Sequence, residues 1–338
     1  MYQVSDEFKK IGIVIPCFRV RDKLLAVVRS LPDWVDVIIA VDDACPERSS
    51  EVLNVQSADR GQIILRHTSN QGVGGAMITG FRRALEEECD IIVKMDGDDQ
   101  MDPARLADIV HPIASGLCDF TKGNRFIHLE SLRAMPLARR IGNIGLTFLT
   151  KFASGQWHLS DPTNGYFGIH REALKLLNLK RLSRRYFFET SLLIQLNIIR
   201  AVAFDIPIPA RYGDQRSSLS VTRAVFGFPP RLVWGLMNRL VWRYCFYDVN
   251  ATTFCLLAGG IMTIGGVSFG AYRWLEGSLT GQFQSAGTVA LSLLPTIVGL
   301  QLLLQALVLD VVDLPRVPLS RLLGARRPGR KHPQGPSH

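Results

Sequence analysis

The sequence predicts an α/β fold in which a mostly parallel sheet carries helices on both faces, followed by interfacial helices and a two-helix transmembrane hairpin. Three observations predict it. Short apolar runs alternate with helix-like runs over the first 210 residues, as in a parallel sheet covered on both sides. A polar cluster follows most of the apolar runs. Two long segments without charged side chains lie near the C-terminus, and each is long enough to span a bilayer.

The predicted strands and helices alternate in a regular order. The strands are residues 11–15, 37–41, 62–66 and 90–95, and the helices are residues 21–31, 47–57, 76–88 and 103–115. Pro103 suits the first turn of a helix, where a missing N–H has no consequence. Ligands of such sheets bind beyond the carboxyl ends of the strands. We therefore expect the polar residues that follow the strands to share one site.

Four polar clusters fall at these strand ends, at residues 16–19, 42–43, 70–75 and 96–100. In the last of them, Asp96 and Asp98 flank Gly97, which lets the backbone approach a ligand closely. Carboxylates this close repel one another unless a cation neutralises them. Mg²⁺ usually binds one or two carboxylates together with substrate phosphates. The turn therefore indicates a site for Mg²⁺ or Mn²⁺ and a diphosphate, and the alternative is a solvated acidic loop.

Composition narrows the class of partner. The 338 residues carry a formal net charge of +9, and 47% of them are hydrophobic. The basic residues cluster beside apolar segments, where anionic lipid headgroups would lie, so a membrane is expected and a nucleic acid is not. The six cysteines show no C-x-x-C spacing, which argues against a zinc site and fits reduced thiols in a cytoplasmic domain.

The two uncharged segments predict transmembrane helices at about residues 249–272 and 286–309. A basic tail follows the second helix, and the positive-inside rule places that tail in the cytoplasm. Two crossings then place residues 1–248 in the cytoplasm as well, at the inner membrane of the cell. The N-terminus does not resemble a signal peptide. The alternative is a buried helical hairpin in a soluble protein.

Aromatic residues and arginines are interleaved between residues 224 and 247, just before the first span. The arginines are Arg231, Arg239 and Arg243. This pattern is typical of an amphipathic helix in the membrane interface, and Pro229-Pro230 is expected to break the helix near its start. The alternative is ordinary packing of a helix against the soluble domain.

Several short motifs carry a family resemblance. They are Pro16-Cys17-Phe18-Arg19-Val20, Val41-Asp42-Asp43-Ala44-Cys45, Asn70-Gln71-Gly72 and Asp96-Gly97-Asp98-Asp99-Gln100. In this order and spacing they resemble the family 2 glycosyltransferases with a GT-A fold, and within them the polyprenyl-phosphate (dolichol-phosphate-type) sugar transferases. The family has Glu where this chain has Val20, and Lys in a later loop where this chain has Ser218.

The resemblance implies a role for individual residues. Nucleotide-sugar binding falls to Pro16, Phe18, Val41, Asp43, Asn70, Gly72, Asp96, Gly97 and Arg125. The metal would be held by Asp96, Asp98 and Gln100. The catalytic set is Asp98, Arg125, Asp161 and Arg211. The acceptor and the closing loop involve Arg140, Asn143, Asn164, Glu189 and Ser217.

The resemblance also implies an organisation. A cytoplasmic GT-A domain would span residues 1–222, interfacial helices 223–248, the transmembrane hairpin 249–310 and a basic tail 311–338. The implied reaction is inverting, metal-dependent transfer of a sugar from a UDP- or GDP-linked donor to a membrane polyprenyl phosphate. Homo-oligomers through the hairpin are a further expectation.

Two alternatives remain open at this point. The acceptor could instead be a lipid hydroxyl or a growing glycan, although no Gln-x-x-Arg-Trp motif of processive synthases is present. The second alternative is a non-catalytic membrane protein that binds a nucleotide sugar. The intact Asp96/Asp98/Gln100 set argues against this alternative. A sugar nucleotidyltransferase would need a glycine-rich N-terminal loop, which residues 16–21 lack.

Overall fold

The computed structural model describes residues 9–56, 61–126, 137–209 and 221–324. Within them, one seven-stranded sheet has the order β3-β2-β1-β4-β6-β5-β7. The strands are β1 (Ile11–Cys17), β2 (Val37–Asp42), β3 (Gly61–Arg66), β4 (Ile91–Lys94), β5 (Phe120–Asn124), β6 (Phe167–His170) and β7 (Ala203–Pro207). The predicted mostly parallel α/β sheet is confirmed, and the four predicted strands lie within one or two residues of their observed bounds.

Strand β6 is the exception to the parallel arrangement, because it runs antiparallel to both β4 and β5. Phe167, its first residue, is therefore paired with Lys94 at the end of β4. Residues that precede β6 thus lie at the same edge of the sheet as the carboxyl ends of the parallel strands. This reversal brings the loop 161–166 to the edge where ligands bind in sheets of this kind.

Helices cover both faces of the sheet, over two separate apolar cores. The helices that follow β1 to β7 in this unit are α1 (Arg21–Arg29), α2 (Glu51–Gln56), α3 (Val73–Glu86), α4 (Leu106–Ala114), α5 (Leu137–Ser154), α6 (Arg171–Leu176), α7 (Phe188–Ile198) and α8 (Val221–Leu240). Strands β1, β2 and β4 are buried almost throughout, as expected for a sheet that helices cover on both faces.

Two helix starts differ from the prediction for local reasons. Helix α2 begins at Glu51 rather than residue 47, because the Asp42 carboxylate accepts hydrogen bonds from Cys45 N and Ser50 Oγ and keeps the intervening residues in a turn. Helix α3 begins at Val73, three residues earlier than predicted. Gly72 starts it with φ +85°, a conformation that favours glycine.

The chain forms two compact units, residues 1–239 with 315–338, and residues 240–314. The first unit thus includes a segment from each side of the hairpin. Within this unit, Asp119 at the start of β5 is fully buried, and its carboxylate accepts hydrogen bonds from Leu319 N at 2.8 Å, Ser320 N at 2.9 Å and Val202 N at 3.0 Å. These bonds fix the start of helix α11 (Leu319–Gly324) on the sheet. Helix α11, which lies within the predicted tail 311–338, therefore packs as part of the first unit.

The second unit consists of a π-helix (Val241–Tyr247) and the helices α9 (Ala251–Thr280) and α10 (Ala286–Val312). Both α helices are long and apolar enough to cross a membrane, and α9 extends eight residues beyond the predicted span. Only 17% and 11% of their most apolar stretches are buried. Helices of a soluble core would be mostly buried, so these exposed apolar faces favour the membrane over the soluble alternative.

The region before the first span differs from the predicted interfacial helix in two respects. Helix α8 continues through Pro229-Pro230, whose rings are both exposed, rather than breaking there. Arg239 is 1% exposed and donates from Nε to Ala153 O at 3.1 Å, so it caps the end of α5 rather than meeting headgroups. Arg243 is likewise buried and donates to the Asp313 carboxylate at 2.8 Å. An apolar face that includes Trp234 nevertheless remains exposed on α8.

Candidate active site

A cavity of about 420 Å³ opens at the edge of the sheet where β4 and β5 end and β6 begins. It brings together five residues that the sequence had placed in one site. They are Asp96, Gln100, Arg125, Asn164 and Glu189. The antiparallel direction of β6 explains how residues so distant in sequence converge here. Leu146 of α5 and Phe228 of α8 form part of its apolar wall.

The acidic turn 96–100 begins directly after β4. Asp96 Oδ1 lies 2.7 Å from Lys94 Nζ, and Asp98 Oδ1 accepts a hydrogen bond from Gln100 N at 3.1 Å. Burial, and then repulsion by Asp96, raise the pKa of Asp98 above its ordinary value. The turn therefore holds more negative charge than its surroundings neutralise.

This donor set suits a hard divalent cation. The available ligands are two carboxylates and the Gln100 amide oxygen, and oxygen ligands are those that Mg²⁺ and Mn²⁺ prefer. Among the described residues, no three His, Cys, Asp or Glu side chains are grouped to hold a metal by themselves. Asp96, Asp98 and Gln100 could supply part of a coordination shell, and a diphosphate could supply the rest.

Two buried lysines lie beneath the cavity, and the sequence analysis did not identify either. Lys94 ends β4 and Lys122 lies in β5, and each is 1% exposed. Burial would lower the pKa of Lys94, but Asp96 and Glu189 outweigh it and raise the pKa. For Lys122, burial dominates and lowers the pKa to about 8. For Lys94 the available signal was a single charge at the end of an otherwise apolar strand, which ordinarily marks a solvent-facing residue.

Arg125 follows β5 and is held by a buried carboxylate. Its Nε and Nη2 donate to the two oxygens of Asp161 at 2.7 and 3.1 Å, and Asp161 is 0% exposed. Thr163 Oγ1 donates to the same carboxylate at 3.0 Å. A bidentate pair of this kind fixes the plane of a guanidinium. Asp161 is therefore placed to position Arg125, and its burial leaves it poorly placed to act as a base.

Asp43, which the resemblance assigned to the nucleotide, holds a neighbouring loop in this structure. Its carboxylate accepts from Gln71 N at 2.8 Å and Gly72 N at 2.7 Å, and lies 2.7 Å from His67 Nδ1. His67, missed by the sequence analysis, is bridged in turn to Thr79 Oγ1 of α3. A Cβ at Gly72 would lie 2.6 Å from Arg184 O, so the loop is tightly packed.

The other predicted site residues fall into three groups. Pro16, Val41 and Phe18 lie at the ends of β1 and β2, outside the cavity lining, and only the Phe18 ring is substantially exposed. Asn164 is internally bonded, donating from Nδ2 to Gly123 O at 2.8 Å. Four predicted residues lie wholly or partly outside the described part of the chain. The side chains of Arg140 and Asn143 on α5 are outside it, and so are Arg211 and Ser217 as whole residues.

Comparisons with known proteins identify the type of domain. Residues 12–177 match the model of glycosyl transferase family 2. A crystal structure of glucosyl-3-phosphoglycerate synthase from Mycobacterium tuberculosis, in complex with Mn²⁺, UDP-glucose and phosphoglyceric acid, has the same fold. The TM-score is 0.50 at 17% identity, over 68% of this chain and 79% of that one. The chain is thus a glycosyltransferase with a family 2 domain and a GT-A fold.

Two curated relatives narrow the resemblance. The UDP-N-acetylglucosamine–dolichyl-phosphate N-acetylglucosaminyltransferase of Methanococcus voltae is 29% identical over 234 residues, which are 65% of this chain and 92% of that protein. The undecaprenyl-phosphate mannosyltransferase of Micrococcus luteus is 26% identical over 200 residues, 58% of this chain and 81% of that protein. Within its family, the chain is therefore similar to transferases named for lipid-phosphate acceptors.

Proposed function

We propose that this protein transfers a sugar, with inversion, from a UDP- or GDP-linked donor to a polyprenyl phosphate in the membrane. The observation that carries the proposal is the convergence of Asp96, Gln100, Arg125 and Glu189 on one cavity beside the acidic turn. The named acceptors of the two relatives, dolichyl and undecaprenyl phosphate, support the lipid phosphate.

In the donor complex, Asp96, Asp98 and Gln100 would hold Mg²⁺ or Mn²⁺ against the diphosphate. When bound, the cation would supply Lewis-acid stabilisation of the departing nucleoside diphosphate. Arg125 would add a fixed positive charge at the same leaving group, because Asp161 holds its guanidinium in one orientation. Asp161 itself would act as a positioning residue.

The acceptor needs little activation. A phosphomonoester has a second pKa of about 6, so a polyprenyl phosphate is largely dianionic at neutral pH. Its oxygen can attack the anomeric carbon without a general base, and no proton transfer by Asp161 is required. A lipid hydroxyl or glycan acceptor would need such a base, and the fully buried, bidentately paired Asp161 is ill suited to that role.

The proposed location is the inner membrane, with the catalytic domain and the C-terminus in the cytoplasm. The basic tail supports this orientation through the positive-inside rule. The bonds from Asp119 to Leu319 and Ser320 also support it, because they attach the residues after the hairpin to the same unit as the residues before it. Self-association through the hairpin remains a prediction.

The test uses the full-length protein in detergent with undecaprenyl phosphate, Mg²⁺ or Mn²⁺, and a panel of UDP- and GDP-sugars. We expect lipid-dependent release of nucleoside diphosphate together with a glycolipid product, and a loss of at least about 100-fold in Asp98→Ala because a metal ligand is gone. Asp108→Ala, on the exposed side of α4, is the matched control. Donor hydrolysis that is equally fast without the lipid, or an active Asp98→Ala, would contradict the proposal.

A further inference from the structure

Lys94 and Lys122 form a buried pair of ammonium groups under the proposed donor site. Both residues are in register with Phe167 of β6, so they flank it on one face of the sheet. Lys122 Nζ donates to Asn164 O at 2.5 Å. A buried ammonium is costly unless a carboxylate or several hydrogen bonds compensate it. The partners of Lys94 therefore decide what this lysine can do.

Lys94 has two carboxylate partners, and they lie on different elements. Its Nζ is 2.7 Å from Asp96 Oδ1 of the acidic turn and 3.7 Å from Glu189 Oε1 in the first turn of α7. The first contact is a hydrogen bond, and the second, at 3.7 Å, is too long to be one. A small movement of the side chain would exchange one partner for the other.

Gly165 leaves the space in which this exchange can occur. A Cβ at position 165 would lie 2.5 Å from Lys94 Nζ and 3.1 Å from Asp96 Oδ2. Any larger residue would therefore press on the ion pair itself. Glu189 and Asp96 both line the cavity, so both carboxylates can respond to a ligand that enters it.

The charge on Lys94 opposes a cation at Asp96. Without the ammonium, two carboxylates two residues apart would attract a divalent cation by themselves. With it, one of the two carboxylates is already neutralised, and a second positive charge nearby would be repelled. A diphosphate brings negative charge, which would offset the repulsion between Lys94 and the cation.

We propose that Lys94 makes cation binding depend on the donor, by holding Asp96 in the empty site and passing to Glu189 when a cation and a diphosphate arrive together. Lys94 is then a positioning residue, and Glu189 is the carboxylate that receives it. The proposal rests on the proposed function, since it presumes a cation–diphosphate site at Asp96 and Asp98. It explains why a buried lysine lies beside a glutamate that lines the same cavity.

The test measures Mn²⁺ binding from the loss of the free Mn²⁺ signal in electron paramagnetic resonance, with full-length protein in detergent, alone and with UDP or GDP. We expect the wild type to bind Mn²⁺ weakly without nucleotide and at least about tenfold more tightly with either UDP or GDP. In Lys94→Gln, Mn²⁺ binding without nucleotide should tighten at least about tenfold. Lys94→Arg keeps the charge and Lys175→Gln removes an exposed lysine, and both should behave as the wild type does.

Glu189→Gln gives a second measurement that does not require Lys94→Gln to fold. Removing the receiving carboxylate should leave nucleotide-free Mn²⁺ binding weak and reduce the gain from nucleotide at least about fivefold. Nucleotide-free binding that is unchanged in Lys94→Gln, or an undiminished nucleotide gain in Glu189→Gln, would overturn the inference while leaving the proposed function intact. A wild type that shows no joint binding of Mn²⁺ and nucleotide would overturn the proposed function itself.

Discussion

At the scale of single residues, a buried carboxylate governs the orientation of Arg125, which lines the cavity. The two carboxylate oxygens of Asp161 accept hydrogen bonds from Nε and Nη2 of Arg125, and one of them also accepts from the backbone N of Arg125. The guanidinium is therefore oriented before any ligand binds, and if it faces the leaving diphosphate as proposed, such preorganisation costs no rearrangement during the reaction. The role of Arg125 should accordingly be sensitive to a change that leaves Arg125 itself in place.

We expect Asp161→Asn to lower kcat by about 100-fold, because a small misplacement of a catalytic group has effects of that size. Mn²⁺ binding should be unchanged, since the acidic turn keeps its ligands. The measurement is kcat at saturating donor beside the Mn²⁺ titration, with Asp108→Asn as the matched control on an exposed acid. Full activity in Asp161→Asn would show that the bidentate pairing of Arg125 with Asp161 has no catalytic consequence.

His170 predicts a pH dependence of stability. It caps α6 by accepting from Glu172 N at 3.1 Å, and burial, with Lys9 nearby, lowers its pKa from 6.5 to about 4. The unfolded chain then binds more protons than the folded one between these values, so stability is lost as the pH falls from 6.5 towards 4. At pH 5.5 the loss from this residue should be about 1 kcal/mol.

His170→Asn keeps a capping side chain and removes the titration. We expect the midpoint of thermal unfolding to fall less in this variant than in the wild type between pH 7.5 and 5.5, with the two profiles parallel above pH 7. Equal losses in both proteins would mean that His170 does not titrate differently in the folded state.

At the scale of elements, Asp119 joins segments that lie 200 residues apart in the chain. Its three backbone donors belong to the start of α11 and to the residue before β7. Removing a buried acceptor leaves such donors without partners, each at a cost of about 1–3 kcal/mol. The docking of α11 should therefore be sensitive to this side chain.

We expect Asp119→Ala to lower the free energy of unfolding by about 3 kcal/mol and to release α11. Limited proteolysis with trypsin should then cut after Arg321 much faster than in the wild type, because Arg321 lies within α11. Asp108→Ala, which removes an exposed acid, is the control. Equal cutting rates in Asp119→Ala and the wild type would contradict the assigned role.

The elements also show where the sequence is informative. Apolar runs identified β1 to β4 and the polar clusters at their ends, and the signal was strongest for β1, β2 and β4, because both faces of these three strands are buried. The reversed direction of β6 was not readable, since four residues such as Phe167–His170 fit either direction equally well. Lys94 and Lys122 were missed because Glu189 of α7 and Asn164 of the loop before β6 reach them only in the folded sheet.

At the scale of the whole molecule, the apolar surface of α9 and α10 predicts how the chain meets a bilayer. Phe254, Ile261 and Trp274 are all at least two-thirds exposed on α9. Such a surface is stable against lipid tails and unstable against water. The orientation proposed above can be measured through the two ends of the hairpin.

We expect a C-terminal epitope and the catalytic domain to be cleaved by an added protease in inside-out vesicles and protected in right-side-out ones, because two crossings return the chain to its starting side. A cysteine placed in the last turn of α9, as in Ser278→Cys, should show the opposite accessibility to a membrane-impermeant thiol reagent. Cys245→Ser in the same protein removes the exposed native thiol. If the epitope and position 278 were accessible from the same side of the membrane, the transmembrane hairpin would be contradicted.

The attachment of residues 319–320 to Asp119 has a consequence for biosynthesis. A ribosome must complete both hydrophobic helices before the last piece of the catalytic unit emerges, so that unit finishes folding only after the hairpin has been made. Truncation before the hairpin, the usual way to obtain a soluble enzyme, would leave the Asp119 carboxylate buried with only one of its three backbone donors. A soluble version should therefore replace residues 240–314 by a short linker and retain the segment that follows.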